Sequence, residues 1–486
     1  MPKALYLTTT LPYVNAEPHI GFALELVQAD AVARAAHLRG QEIFFNTGTD
    51  EHGLKIKRTA EAAGLTPQAY VDQMAEKFRR LLPALGIWPE ANFIRTTNPA
   101  HVTAAQEFWR RAAAAGDIYK KDYSLKYCVG CELEKTESEL VDGHCPLHPK
   151  QEIELIAEEN YFFRFSKYES PLLELYNSRP DLVLPESRLN EVKAFVGRGL
   201  QDFSISRSAA KQPWGIPVPD DPTQTMYVWF DALVNYVSAI GWGSDEEKFK
   251  NWWPVVQFAG KDNLRQQSAM WQAMLMSVCL PPSKQIIIHG FVTSGGQKMS
   301  KSLGNVIDPF ALANDYGSEA VRYFLLRHVQ PFEDTDVTPE KFKEAYNANL
   351  ANGLGNLVSR VMKLASDHLP ASPELQRGEL APAVVEERTL EDFKELNDHL
   401  TKFEFSRAMD EIWRHIGLHD AYIQETKPFS LIKTEPDKAR QIIAKLVQGL
   451  ADLAVCLEPF LPQTSATIKN LVKENKTPPQ PLFPRK

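Results

Sequence analysis

Strand-like and helix-like periodicities alternate along the opening 115 residues, and this alternation limits the fold more than any other feature. Ala4 to Thr10 is apolar and β-prone, and from Ile20 to Gly40 apolar residues recur at helical spacing (Ala23, Val27, Ala31). Gln41 to Thr47 returns to a strand pattern, and "RTAEAAGLTPQAYVDQMAEKFRRLLPALGI" (58–87) reads as helical. Strands separated by helices build parallel sheets, whose ligands bind outside the carboxyl ends of the strands. In "YLTTTLPYVNAEPHIGFALE" (6–25), His19 and Gly21 fall where such a helix begins. Unpaired N–H groups there face an anion, the glycine admits a flat group, and an imidazole can donate to a phosphate oxygen. Taken alone, His-x-Gly also fits a plain helix start.

Between Gly116 and about Pro222 the texture changes to short aromatic, turn-rich segments, read as a small β-rich insertion. Alternation resumes with "TMYVWFDALVNYVSAIGW", "PVVQFAGKDNL" and "KQIIIHGF", which should supply the second part of the sheet. From Ala311 onward long helical patterns predict a bundle closed by an extended tail, "TPPQPLFPRK".

A chain of 486 residues holds about three domains, and its apolar and charged fractions exclude disordered, fibrous and membrane classes. Its N-terminus resembles neither a signal nor a transit peptide and no run reaches a transmembrane length, so a cytoplasmic location is expected. With a net charge of −8, any nucleic acid must be held by local basic patches.

Cys128-x2-Cys131 followed by Cys145-x2-His148 is the most specific local pattern. Two ligand pairs at this gap each wrap a knuckle around one ion, and three thiolates with one imidazole close a tetrahedral zinc site with no open position. Cys279 and Cys456, in apolar helical context, are expected in the core. In "GFVTSGGQKMSKSLGN" (290–305), Gly295 and Gly296 suggest a mobile loop. Lys298 and Lys301 then suit charge that appears during a reaction. The segment does not match a P-loop, and a solvated lysine loop is its plain alternative.

Together, "LPYVNAEPHIG", "GTDEHG", the "CVGC…CPLH" knuckle, "YVWFDAL", "GKDN", "KMSKSLGN", "GLGNLVSR" and "YIQETKPF", in this order from residue 11 to residue 429, resemble the methionyl-tRNA synthetase family of class I aminoacyl-tRNA synthetases. The resemblance implies an α/β fold. A Rossmann-like parallel-sheet catalytic domain (1–115 and 223–310) is split by a connective zinc-binding insertion (116–222). A linking stem-contact region (311–345) and an all-α helical anticodon-binding domain (346–486) follow.

For methionine the resemblance implies Leu11, Tyr13, Trp229, Ala232, Tyr236 and Trp271 as pocket walls, Asp50 for the ammonium and Arg207 for the carboxylate. For ATP with Mg2+ it implies His19, Gly21, Gly260, Asp262, Lys298 and Lys301. Asn356, Arg360 and Phe429 would read the anticodon of initiator and elongator tRNA(Met). The cofactors are one structural Zn2+ and ATP-bound Mg2+. There is no membrane partner, and a monomer is expected because no β-barrel module follows.

The sequence departs from the family pattern at Phe22 in place of a second histidine, Phe429 in place of a tryptophan, and Leu233 in place of a proline. Asn263 and Gln267 stand where isoleucine and histidine are common. Other class I synthetases and a non-catalytic RNA-binding homologue are the rival readings. The cysteine enzyme would need an open zinc position, and a binding protein would not need both the His-x-Gly unit and the lysine loop.

Overall fold

The computed structural model describes residues 4–131, 133–135, 139–299, 305–369 and 388–486. Six parallel strands form its central sheet: β1 (Ala4–Thr8), β2 (Glu42–Thr49), β3 (Asn92–Arg95), β4 (Val183–Leu184), β5 (Val256–Gly260) and β6 (Gln285–His289). Their spatial order is β3-β2-β1-β5-β6-β4. Progression away from β1 reverses between β1 and β5, which makes the crevice outside their carboxyl ends the topological switch point.

Period-two alternation sends successive side chains to opposite faces of this sheet. Leu5, Leu7, Phe45, Val256, Phe258 and Ile287 enter one core. Tyr6, Val255, Ala259, Ile286 and Ile288 enter the other. The first core runs from helix α1 (Ile20–Leu38) through the Ser318–Arg327 helix into the C-terminal helices, joining Val27, Val321, Leu354, Leu446 and Leu471. The linking region and the bundle therefore share apolar packing with the sheet. Burying one such side chain is worth about 1.5–3 kcal/mol.

The stretch 58–87 is not a single helix. It forms Leu54–Ala62 and Pro67–Ala84, separated at Gly64, whose φ of +69° ends the first; Thr66 caps the second with its side chain and Pro67 starts it. The 116–222 span contains a long antiparallel pair, Ile118–Cys128 and Glu154–Phe163, flanked by Leu133–Lys135 and Phe203–Ser204. It also returns β4 to the edge of the parallel sheet, so this part of the span belongs structurally to the sheet.

"TMYV" does not resume the parallel sheet. Asp221–Met226 pairs antiparallel with Ser206–Ser208, and the main sheet resumes at β5. Cys456 is buried as expected, but Cys279 is exposed, at φ +57° in the turn that ends the preceding helix. The bundle contains α3 (Asn356–His368), α4 (Phe405–Thr426), α5 (Pro436–Leu457) and α6 (Pro462–Glu474). A π-helical run, Tyr346–Gly355, precedes α3, and the tail packs on it: Phe483 is buried and the Tyr346 hydroxyl donates to the Pro484 carbonyl. Among the described residues no helix is long and apolar enough to cross a membrane.

Candidate active site at the sheet switch point

His19 is the N-cap of α1, and its Nδ1 accepts the Gly21 N–H at 3.1 Å. The ring hydrogen of a neutral imidazole then sits on Nε2, in an exposed position suited to an anion at a helix start. A Cβ at Gly21 would lie 2.9 Å from His19 Cε1, so this arrangement requires glycine. Phe22 points into the core, edge-on to Phe78 at 5.5 Å.

On the β1 side, the loop carrying Leu11 and Tyr13 is fastened to Asp50. Tyr13 and Asp50 form a parallel bridge, Asp50 N–H donates to Pro12 O, and Val14 N–H donates to Asp50 O. The adjoining Glu51 is buried and takes a two-pronged bond from Arg95 at 2.6 and 2.9 Å.

A short helix, α2 (Val228–Leu233), follows the Asp221–Met226 strand. Trp229 and Ala232 are only half-buried, while Val228, Phe230, Asp231 and Leu233 are buried. Tyr236 continues their face at i+7. Its ring meets Trp271 edge-on at 5.7 Å, and Trp271 is fully buried with Nε1 lacking a hydrogen-bond partner among the described residues. Leu233, where proline is common, is ordinary core.

Asp231 anchors α2 from behind, accepting from His52 Nδ1 at 2.6 Å and His101 Nε2 at 2.8 Å. Burial opposes ionisation of Asp231, but the two histidines outweigh it and hold its carboxyl below the ordinary value.

Gln267 donates to the Tyr236 hydroxyl oxygen at 2.8 Å and accepts from Gln257 Nε2 at 2.9 Å. The Tyr236 proton is thereby left for another acceptor. Burial pushes that phenol well above its ordinary range, and nearby Glu25 adds to the effect.

Gly260 ends β5, and Asp262 is exposed in the turn that follows. Asn263 donates to Asp262 Oδ1 at 3.3 Å, so this departure bears directly on the Asp262 carboxylate. At φ +63° and +71°, Gly295 and Gly296 close a hairpin in which Thr293 pairs with Lys298. Lys301 lies outside the described residues. Arg207 is buried, stacked 4.4 Å from the Tyr227 ring centroid, and bonded to Ser204 Oγ and Ser206 O.

The ligand atoms of Cys128, Cys131, Cys145 and His148 all lie within 4.8 Å of one another. Burial and neighbouring thiols push the Cys131 thiol up to about 12, a cost that a central cation reverses. A Cβ at Gly130 would come within 2.4 Å of the His148 ring, so the knuckle requires glycine there, and the Gly130 carbonyl accepts from Lys55 at 2.9 Å. In the bundle, Asn356 is exposed at the start of α3, and Arg360 bonds Asp420 of α4 at 3.0 Å. α4 ends at Lys427 (φ +44°), after which Phe429 stands 48% exposed.

His52, His101, Asp231, Glu25 and His289 were not singled out from the sequence. The available signals were slight: acids among the mostly apolar residues of α1, and a histidine closing "QIIIH".

A parallel sheet with His-x-Gly at its switch point, a Lys-Met-Ser-Lys-Ser segment after its last central strand and an appended helical bundle defines a class I aminoacyl-tRNA synthetase. The family model for class I tRNA synthetases of the M type matches residues 5–156 and 148–362, and that for the anticodon binding domain of methionyl tRNA ligase matches 373–481. The chain is 42% identical to the methionine–tRNA ligase of Thermosynechococcus vestitus, over 95% of this chain and 88% of that one. It is 40% identical to that of Thermotoga maritima, over 97% and 76%. Mycobacterium tuberculosis methionyl-tRNA synthetase in complex with methionyl-adenylate superposes with a TM-score of 0.90 at 35% identity, over 99% of this chain and 100% of that one. Its apo form gives 0.83 at 32%, over 100% and 99%. The chain belongs to the methionine–tRNA ligase family.

Proposed function

We propose the following division of labour for the reaction of this family, the ATP-dependent ligation of L-methionine to tRNA(Met) through methionyl-adenylate with release of pyrophosphate and AMP. Methionine lies between the Leu11–Tyr13 loop and the Trp229–Ala232–Tyr236 face, with Trp271 behind. Asp50 accepts from its ammonium and Arg207 meets its carboxylate. The Tyr236 proton, turned away from Gln267, is available to the thioether, and polarizable sulfur favours aromatic walls. His19, Gly21, Gly260 and Asp262 hold ATP, and Lys298 and Lys301 stabilise the departing pyrophosphate. Mg2+ arrives on the ATP phosphates.

The methionine carboxylate attacks the α-phosphorus, so no protein nucleophile is needed and catalysis comes from placement and charge stabilisation. The 2′-hydroxyl of the terminal adenosine of tRNA then attacks the adenylate. Asn356, Arg360 and Phe429 read the CAU anticodon, Phe429 by stacking. The knuckle binds one structural Zn2+, for which three thiolates and an imidazole are the suited donors. The domain limits follow this reading: catalytic halves 1–115 and 223–310, insertion 116–222, stem-contact region 311–345 and anticodon domain 346–486. A monomer completes this reading, and unpaired clustered thiols suit the reducing cytoplasm.

The observation that carries this reading is the switch point of the parallel sheet, with the His19–Gly21 cap in the connection after β1 and the Gly260–Asp262 turn directly after its neighbour β5. Its test is Lys301→Ala, which should slow adenylate formation about 10²–10³-fold while methionine affinity changes far less. Equal loss in both would remove the lysine from this role.

A further inference from the structure

The reading above leaves unused a buried acid and a buried histidine that meet beneath the crevice. Glu25 of α1 is 3% exposed and His289, closing β6, is 5% exposed. Glu25 Oε1 accepts both the Thr10 N–H at 2.5 Å and the Thr10 hydroxyl at 2.7 Å, and Oε2 lies 3.0 Å from His289 Nε2. His289 Nδ1 lies 2.8 Å from the Gly290 carbonyl. That carbonyl only accepts, so Nδ1 carries a hydrogen. A second proton must therefore lie between Nε2 and the carboxylate, whichever atom holds it.

The tie has a specific place in the fold. Thr10 follows β1, His289 ends β6, and β5 lies between those strands. The bridge thus crosses the carboxyl end of β5, where Gly260 pairs in register with His289. A Cβ at Gly260 would sit 2.9 Å from Asp262 Oδ1 and 3.5 Å from His289 Cε1. One end of the bridge holds the residue before Leu11, on the amino-acid side; the other borders the Gly260–Asp262 turn, on the nucleotide side.

We propose that Glu25 and His289 are positioning residues for adenylate formation: a proton-sharing clamp that sets the spacing between the methionine half and the ATP half of the site. This rests on the assignment of those halves given above. The charged and titratable groups facing the pair are Asp262, from the turn after β5, and Tyr236, which feels Glu25. Burial disfavours the imidazolium, but the Glu25 hydrogen bond and charge, the Gly290 carbonyl and Asp262 together raise His289 above its ordinary value. The clamp is intact below that raised value and opens as pH rises through it, when two acceptors are left facing each other.

The test is methionine-dependent pyrophosphate exchange across the neutral-to-alkaline range, without tRNA. Glu25→Gln can keep every bond, its amide oxygen accepting from Thr10 and its N–H donating to a neutral His289, but it has no shared proton to lose. The clamp predicts an alkaline decline in wild type that is absent from E25Q. Glu25→Ala and His289→Ala should raise KM for methionine and for ATP together, lowering kcat/KM by up to roughly a hundredfold. An alkaline decline in E25Q matching wild type, or alanine variants with both KM values intact, would overturn the clamp. If the alanine variants do not fold, the E25Q profile alone decides. Absence of methionine-dependent exchange in wild type would instead remove the assignment of the two halves.

Discussion

His19 folds back over Gly21, its Nδ1 accepting that residue's N–H at 3.1 Å. The histidine and glycine of the first motif are therefore one geometric unit. Gly21→Ala places a methyl 2.9 Å from the ring and forces the imidazole aside. Pyrophosphate exchange should fall by about 10²–10³-fold, the usual effect of losing one transition-state donor, while methionine binding changes little. Equilibrium binding of methionine beside exchange kinetics separates the two; a G21A enzyme with wild-type exchange would show that the ring needs no fixed position.

Gln267 is the middle link of a buried chain from Gln257 to the Tyr236 hydroxyl. Gln267→Ala removes the acceptor of a Gln257 N–H and the donor to the Tyr236 hydroxyl oxygen. Leaving one buried polar group unsatisfied costs about 1–3 kcal/mol, so a clear fall in melting temperature and a KM for methionine raised about tenfold are expected. A melting curve and a methionine titration measure both, and an unchanged KM would remove Gln267 from the pocket.

Asp231 connects stability to pH. Its folded carboxyl titrates below the ordinary value, so the stability it contributes is present above the unfolded pKa and is lost as pH falls through the folded one. Asp231→Asn should destabilise the enzyme near neutrality by about 3–5 kcal/mol, the range for breaking a buried pair. Its deficit against wild type should shrink in acid; denaturation midpoints at neutral and acid pH test this, and a deficit that grows in acid would refute the sign.

The four knuckle residues predict one zinc per chain. Cys145→Ala, or chelation, should release that ion and loosen the Ile118–Cys128 and Glu154–Phe163 pair, with little change in the buried parallel sheet. Metal analysis with hydrogen exchange would follow both; a metal-free enzyme with full protection in the hairpin would contradict a structural role.

Much of this architecture was legible locally. β1, α1 and the metal knuckle each depend on neighbouring residues, whose periodicity, caps and spacing carry the signal. The two-residue β4 has no periodicity to detect, and Cys279 was misplaced because an apolar neighbourhood does not reveal a left-handed turn. The site was less legible where its parts are assembled over long separations. Glu25 and His289 are 264 positions apart, and His52 and Asp231 are 179 apart. Single polar residues of this kind leave no pattern until the sheet brings them together.

Phe429 stands exposed after the left-handed turn at Lys427, on a bundle whose other large apolar side chains are mostly buried. Phe429→Ala should reduce tRNA charging by about 1–3 kcal/mol in kcat/KM, the range for one lost stacking contact, with tRNA-independent exchange retained. Assaying both reactions on one preparation checks this, and a parallel loss in both would place the residue outside anticodon reading.

The most direct test of the central claim is pyrophosphate exchange into ATP, without tRNA, in the presence of methionine, leucine, isoleucine, valine or cysteine in turn. Strong exchange with methionine alone is the predicted result, since it requires both the switch-point chemistry and the Tyr236 wall. Exchange supported equally by another of these amino acids would contradict the pocket assignment, and no exchange with any of them, even after tRNA is added, would contradict the active site itself.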